Sequence, residues 1–310
     1  MYFKYSWQAN ITLTQVINDI VSIICSTAPD SSILSAGCDK PFSTLLANTA
    51  VSNWTVWDSA AAVNSQVLRS LNADGTTYKY VQITLTATTI ALLGWESWNA
   101  ATHVGLNPSS CGSAAAVPMN VSFLSFATAN NISIIATPRS LNIVNAPLVS
   151  STNAFLYEVT RDGLSLDATY PCLVTGDYNS HFVRQTSTNL PKLAICRIKN
   201  PNANNDHFGN TLDHTLMLLN FTTANTSIIS YAQNTGTFGI NGQLNLLTLP
   251  IQLGYCSTAS IVNIGTVLGG ILLMPSNTLA YSSLDELAIA GITYVLIKSS
   301  NNGTILIPKA

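Results

Sequence analysis

The sequence predicts a mainly β fold, a β-rich α+β protein made of β-sandwich-like domains behind a short N-terminal helical region. Three observations predict it. Apolar residues keep a helical period clearly in one place, at Leu13, Val16, Ile17, Ile20, Val21 and Ile24. Later apolar runs are β-branched or aromatic and alternate along the chain, as half-buried strands do. Gly and Asn interrupt these runs at turn-length intervals.

The elements follow in order. Thr12 or Thr14 supplies the helix cap, and Ser26, Thr27 and Pro29 end the helix. A short helical turn is expected from Phe42 to Ala47. Trp54 to Trp57 alternates, and Tyr78 to Leu93 reads as a long β segment. Asn72-Ala-Asp-Gly75 before it is a hairpin turn. Val121 to Phe126 and Ile132 to Thr137 are expected to pair around Asn130-Asn131. Polar residues around Pro147 suggest a boundary, after which Ala154 to Thr160 and Lys192 to Ile198 read as strands. A polar loop runs from Asn200 to Asp206. The C-terminus closes with a hairpin, Leu287 to Ile297 and Thr304 to Pro308, around a turn at Ser299 to Gly303. This division gives an N-terminal helical segment at 1–48, a β-rich domain at 49–148 and a second at 149–310.

Charge is the unusual part of the composition. Charged residues are 8% of the 310, against about 25% in ordinary domains. Hydrophobic residues are an ordinary 47%, so Ser, Thr, Asn and Ala have taken the place of ions. A neutral polar surface loses little hydration energy when a partner covers it. From Ser97 to Pro138 the chain has no charge besides that available to His103, and from Thr215 to Leu284 it has none. The second run is expected to be buried, in the core or against a neighbour. With a net charge of -2 and no basic cluster, nucleic-acid binding is not expected.

Mean hydropathy is +0.30, yet Ile261 to Met274 is too short for a spanning helix and carries Asn263, Gly265 and Gly269-Gly270. It reads as buried strands, so no membrane span is expected. The first residues lack the apolar core of a signal peptide, since Gln8, Asn10, Gln15, Asn18 and Asp19 break it. Cys25, Cys38, Cys111, Cys172, Cys196 and Cys256 show no metal spacing and read as free thiols, with a Cys25–Cys38 pair open in an oxidising compartment. Sequons at Asn10, Asn53, Asn120, Asn131, Asn220, Asn225 and Asn302 are what an Asn-, Ser- and Thr-rich chain produces by composition.

No catalytic residue, cofactor site or metal site is expected, because no nucleotide, nucleophile-elbow or zinc-ligand motif occurs. Among His103, His181, His207 and His214, the last two lie in Asp206-His-Phe-Gly-Asn-Thr-Leu-Asp-His214, which reads as a hydrogen-bonded loop rather than a metal site. Glu158, Arg161, Asp162 and Asp167 read as a surface salt-bridge cluster. Asp285-Glu286 solvates the entry to the last hairpin. The distinctive stretch is Trp95-Glu-Ser-Trp-Asn-Ala-Ala-Thr-His103. Trp95 and Trp98, with Glu96 and His103 near, are the candidate aromatic residues, read as packing in the core or at a subunit interface and alternatively as lining a carbohydrate face.

The sequence resembles a group of tailed-phage virion structural proteins of the tail or baseplate type. The resemblance lies in the N-terminal helix, Ser32 to Lys40, Asn53 to Ser59, Asn72 to Val81, Gly94 to Gly105, Leu284 to Leu296 and Ile307 to Lys309. It is a pattern of strands and turns that brings no active site with it. It implies a non-enzymatic virion subunit, made in the host cytoplasm, whose partners are copies of itself and other virion proteins. The N-terminal helix is expected to dock on a neighbour. The alternatives are a carbohydrate- or receptor-binding tail module that engages a host-surface glycan, a capsid decoration protein, and a cell-surface adhesin.

Overall fold

The structure, a computed structural model, describes residues 2–7, 11–25, 52–108, 119–122, 130–145, 153–159, 173–177, 193–195, 215–219, 249–250, 252–256, 261–274, 282, 284–299 and 303–309. In chain order the elements are β1 (Tyr2–Trp7), α1 (Leu13–Cys25), β2 (Thr55–Ala62), β3 (Ser65–Leu71), β4 (Tyr78–Leu85), β5 (Thr89–Asn99), β6 (Val104–Pro108) and β7 (Met119–Ser122). They continue as β8 (Asn130–Thr137), β9 (Ser140–Val144), β10 (Asn153–Glu158), β11 (Leu173–Asp177), β12 (Leu193–Ile195) and β13 (Thr215–Leu219). The last are β14 (Leu249–Pro250), β15 (Gln252–Cys256), β16 (Ile261–Thr266), β17 (Leu272–Met274), β18 (Glu286–Ile289), β19 (Ile292–Ser299) and β20 (Gly303–Pro308). The fold is mainly β with a short N-terminal helix, as the periodicities require.

All the paired strands run antiparallel. Sheet A has the order β1-β8-β9-β10-β11-β12, and sheet B runs β2-β3-β4-β5-β6 with β7 also on β5. Sheet C is β13-β15-β16, and sheet D is β14-β17-β20-β19-β18. Sheets A and B share one apolar core with α1. Tyr5, Trp7, Ile132, Ile134, Leu141, Ile143 and Leu156 come from A, and Leu68, Val81, Ile83, Leu85, Ile90 and Leu92 from B.

α1 forms where the sequence places it. Thr12 and Gln15 make a capping box: Gln15 N–H donates to Thr12 Oγ1 at 3.2 Å, and Thr12 N–H donates to Gln15 Oε1 at 2.9 Å. Thirteen residues make a marginal helix in isolation, so packing must hold it. Val16, Ile17, Ile20, Val21, Ile23 and Ile24 are buried in the core between the sheets. The buried Asp19 accepts a hydrogen bond from Tyr5 Oη at 2.7 Å. The apolar face of α1 therefore closes the chain's own core.

One strand was not expected, and three expectations about strands need correction. β1 precedes the helix and pairs with β8, although its residues lack a clear alternation of polar and apolar. Tyr78 to Leu93 is two strands, β4 and β5, with a turn where Thr86 Oγ1 meets Thr89 Oγ1 at 2.7 Å. β7 pairs with β5, while β8 pairs with β1 and β9, so β7 and β8 are not partners. Leu287 to Ile297 is also two strands, β18 and β19, turned at Ala290 and Gly291 with φ of 49° and 82°. Residues with positive φ at both central positions make the tight hairpin turn that suits strand twist. Continuous β-branched sequence hides such turns because only one small residue marks them.

The hairpin at Asn72 to Gly75 forms between β3 and β4. Asn72 N–H donates to Thr77 O at 2.8 Å, and Gly75 takes a φ of 70°. The β9–β10 pair joins residues on either side of the boundary expected at 148/149. In sheet D, Val295, Ile297, Ile305 and Ile307 are buried on one face and Tyr294, Leu296 and Leu306 on the other. Such double burial reads as continuous apolar sequence. The expected turn of helix at Phe42 to Ala47 and the loop from Asn200 to Asp206 lie outside the described residues, as does most of the uncharged run from Thr215 to Leu284.

Candidate functional site

Trp95 and Trp98 meet at the β5–β6 end of sheet B. Their ring centroids are 5.3 Å apart with planes at 71°, an edge-to-face pair. Gly105 of β6 lies opposite Trp98 in register. A Cβ there would come within 2.3 Å of the Trp95 ring and 2.7 Å of the Trp98 ring. So the indoles pack on bare backbone, and only glycine fits.

Both indole N–H groups are spent inside the protein. Trp95 Nε1 donates to Gln82 Oε1 at 3.2 Å, and Trp98 Nε1 donates to Asp58 Oδ2 at 2.8 Å. Trp98 is 7% exposed, whereas Trp95 is half-buried. Asp58 Oδ2 also meets His103 Nδ1 at 2.8 Å, and Asp58 Oδ1 accepts from Ala60 N–H at 2.9 Å. Burial alone would raise the Asp58 pKa. The bonds from His103, Trp98 and Ala60 outweigh it and hold the carboxyl below the usual aspartate range. His103, with φ of 55° in the β5–β6 turn, thus ties that turn to β2. Glu96, expected on a polar rim, is buried.

The row continues on neighbouring strands. Trp57 Nε1 donates to Trp98 O at 3.1 Å. The Arg69 guanidinium lies 3.7 Å from the Trp57 ring centroid and 4.5 Å from that of Tyr78, a cation between two π faces.

The second cluster is ionic and corrects an expectation. Glu158 is buried rather than on a surface, and its partners are Lys79 and Arg139. Its Oε2 lies 3.0 Å from Lys79 Nζ and 3.1 Å from Arg139 Nη1, and its Oε1 accepts from Ala73 N–H at 2.6 Å. Lys79 and Arg139 both also donate to Leu71 O, at 2.8 and 3.0 Å. Burial lowers the Lys79 pKa to about 8 against the opposing pull of Glu158. The segment after β16 closes the cluster: Leu268 N–H donates to Glu158 O at 2.8 Å, and a Cβ on Gly269 would lie 2.9 Å from Arg139 Cβ. Strands β4 and β10 and the β8–β9 turn therefore meet at one carboxylate, which joins sheet B to sheet A.

Arg161, Asp162, Asp167 and the Asp206 to His214 segment lie outside the described residues. Cys25 is a free, half-buried thiol whose pKa burial pushes up to about 12; Cys38 is outside the described residues. Among the described residues no group of three potential metal ligands occurs. No helix among them is long and apolar enough to cross a membrane.

Sequence reasoning missed Asp58, Lys79, Arg139 and Gly105 as members of these clusters. Lys79 had a readable signal, since it shares strand parity with the core residues Val81, Ile83 and Leu85. The other three are defined by strands remote in sequence. No protein-family model matches the chain, and no curated protein is similar enough to count as a match.

Proposed function

We propose that the chain is a non-catalytic structural subunit of a tailed-phage virion, in the tail, baseplate or neck region, acting by assembly with copies of itself and other virion proteins. Its site of action is then the virion. One observation carries the reading. A chain with few charges commits many of them inside: Asp19, Asp58, Lys79, Glu96 and Glu158 are all buried. What it leaves outside includes apolar and uncharged strand surface, at Val56, Val104 and Leu106 among others. Internal charges serve as joints between elements, and neutral surface is cheap to dehydrate against a neighbour. The resemblance of its strand and turn segments to virion proteins gives the assembly a setting.

The carbohydrate-binding alternative needs open indole faces. Trp98 is buried and both N–H groups are occupied, which favours a packing role for the pair. The test is mass spectrometry of purified phage particles. The chain is expected at stoichiometric, multi-copy abundance; its absence from particles made by cells that express it would overturn the reading.

A further inference from the structure

The two edges of sheet B differ in kind. β2, at one edge, is irregular, with register shifts between Val56 and Asp58 and between Asp58 and Ala62. Bulges of this sort are a standard way to stop a strand edge from recruiting another strand. β6, at the other edge, pairs with β5 in an unbroken register from Asn99↔Val104 to Trp95↔Pro108. No described strand pairs with its outer side. Its outward side chains are apolar, with Val104 54% and Leu106 61% exposed. It carries no Lys, Glu or Asp, so of the residues that normally protect an edge it has only Pro108, at its last position. Gly105 under the two indoles and the Asp58–His103 contact hold β6 in place, so the edge is presented already ordered.

We propose that β6 is the strand through which one copy of this chain pairs with a second, antiparallel and about a twofold axis. The backbone of an open strand edge calls for another strand as occupant. A second copy fits because antiparallel self-pairing sets Val104 and Leu106 of one chain beside the same residues of the other, with no like charges opposed. The bulged β2 edge works against the head-to-tail alternative of β6 on β2, which would grow open filaments. This inference deepens the assembly reading and rests on it for the choice of a second copy.

Sedimentation velocity of the full chain over a concentration series tests it. The wild-type chain is expected to reach twice the 33.0 kDa of one copy. Leu106→Lys brings one ammonium group from each copy into the paired edge and is expected to weaken association by roughly tenfold or more. Val63→Lys, at a turn position 88% exposed, should leave association unchanged. Far-ultraviolet circular dichroism should be the same for all three. A folded wild-type chain that stays monomeric, or equal effects of the two lysines, would overturn the proposal. A monomeric chain still found in particles would overturn β6 pairing and leave the virion reading standing. A dimer missing from particles would do the reverse.

Discussion

The β3–β4 and β5–β6 turns, at the same end of sheet B, use the chain's few charges differently. At the β3–β4 turn, Glu158 draws Lys79 and Arg139 into a buried cluster that fastens sheet B to sheet A. At the β5–β6 turn the charge is inside again, as Asp58 beneath Trp98 and His103, and the outer strand is bare of it. The comparison teaches that low net composition of charge is not low electrostatic content. A buried ion costs desolvation energy that only good partners repay, and here the partners come from different strands and sheets. Charge fixes how these elements join, and β6 carries none.

The largest effect should come from breaking the cluster at the first turn. Glu158→Gln leaves Lys79 and Arg139 facing each other without their carboxylate. We expect a loss of about 3–5 kcal/mol in urea unfolding, in line with other broken buried pairs. Lys79→Met should cost less, because Arg139 still holds Glu158 at 3.1 Å. Equal costs would contradict a carboxylate shared by Lys79 and Arg139.

The second turn should break through packing. Gly105→Ala puts a methyl group where two indole rings already lie, so we expect a loss of about 1–3 kcal/mol, the usual cost of overpacking. Near-ultraviolet dichroism of the tryptophans should change with it. Asp58→Asn removes the charged acceptor from Trp98 and His103, at about 1–3 kcal/mol. Because the folded-state pKa of Asp58 is lowered, its contribution is present above the ordinary value of 3.8 and is lost as pH falls below it. Wild type and Asp58→Asn should therefore converge in stability in acid.

The smallest effect is alkaline. Lys79 has a folded pKa of about 8 against an ordinary 10.5. Between those values the unfolded chain binds the extra proton, so this group's contribution to stability grows as pH rises through that window. Wild type should gain stability relative to Lys79→Met from pH 8 to 10.5; a gap that stays constant would contradict the buried, desolvated Lys79.

At both turns local elements and single residues were legible, and their partners were not. The helix was readable because six apolar residues keep one face, and the Asn72 to Gly75 turn because Asn, Asp and Gly each answer a backbone need. β4 and β5 merged in the sequence because Thr86 to Thr88 look like strand residues. Glu158 looked like part of a local knot with Arg161 and Asp162, since sequence neighbours were the visible partners. Its partners among the described residues are Lys79, brought by the packing of sheet B on sheet A, and Arg139, brought by the pairing of β9 with β10. Trp95 and Trp98 stood out as aromatic, but Gly105, which lets them pack, is an ordinary strand glycine until β6 is paired with β5.

On our proposal a second copy covers the uncharged β6 edge. Amide hydrogen exchange at β6, followed against protein concentration, tests it most directly. The account predicts that protection of Val104 and Leu106 rises with concentration while that of Thr55 and Val56 on the bulged β2 edge does not. Exchange at β6 that is fast and independent of concentration would contradict it.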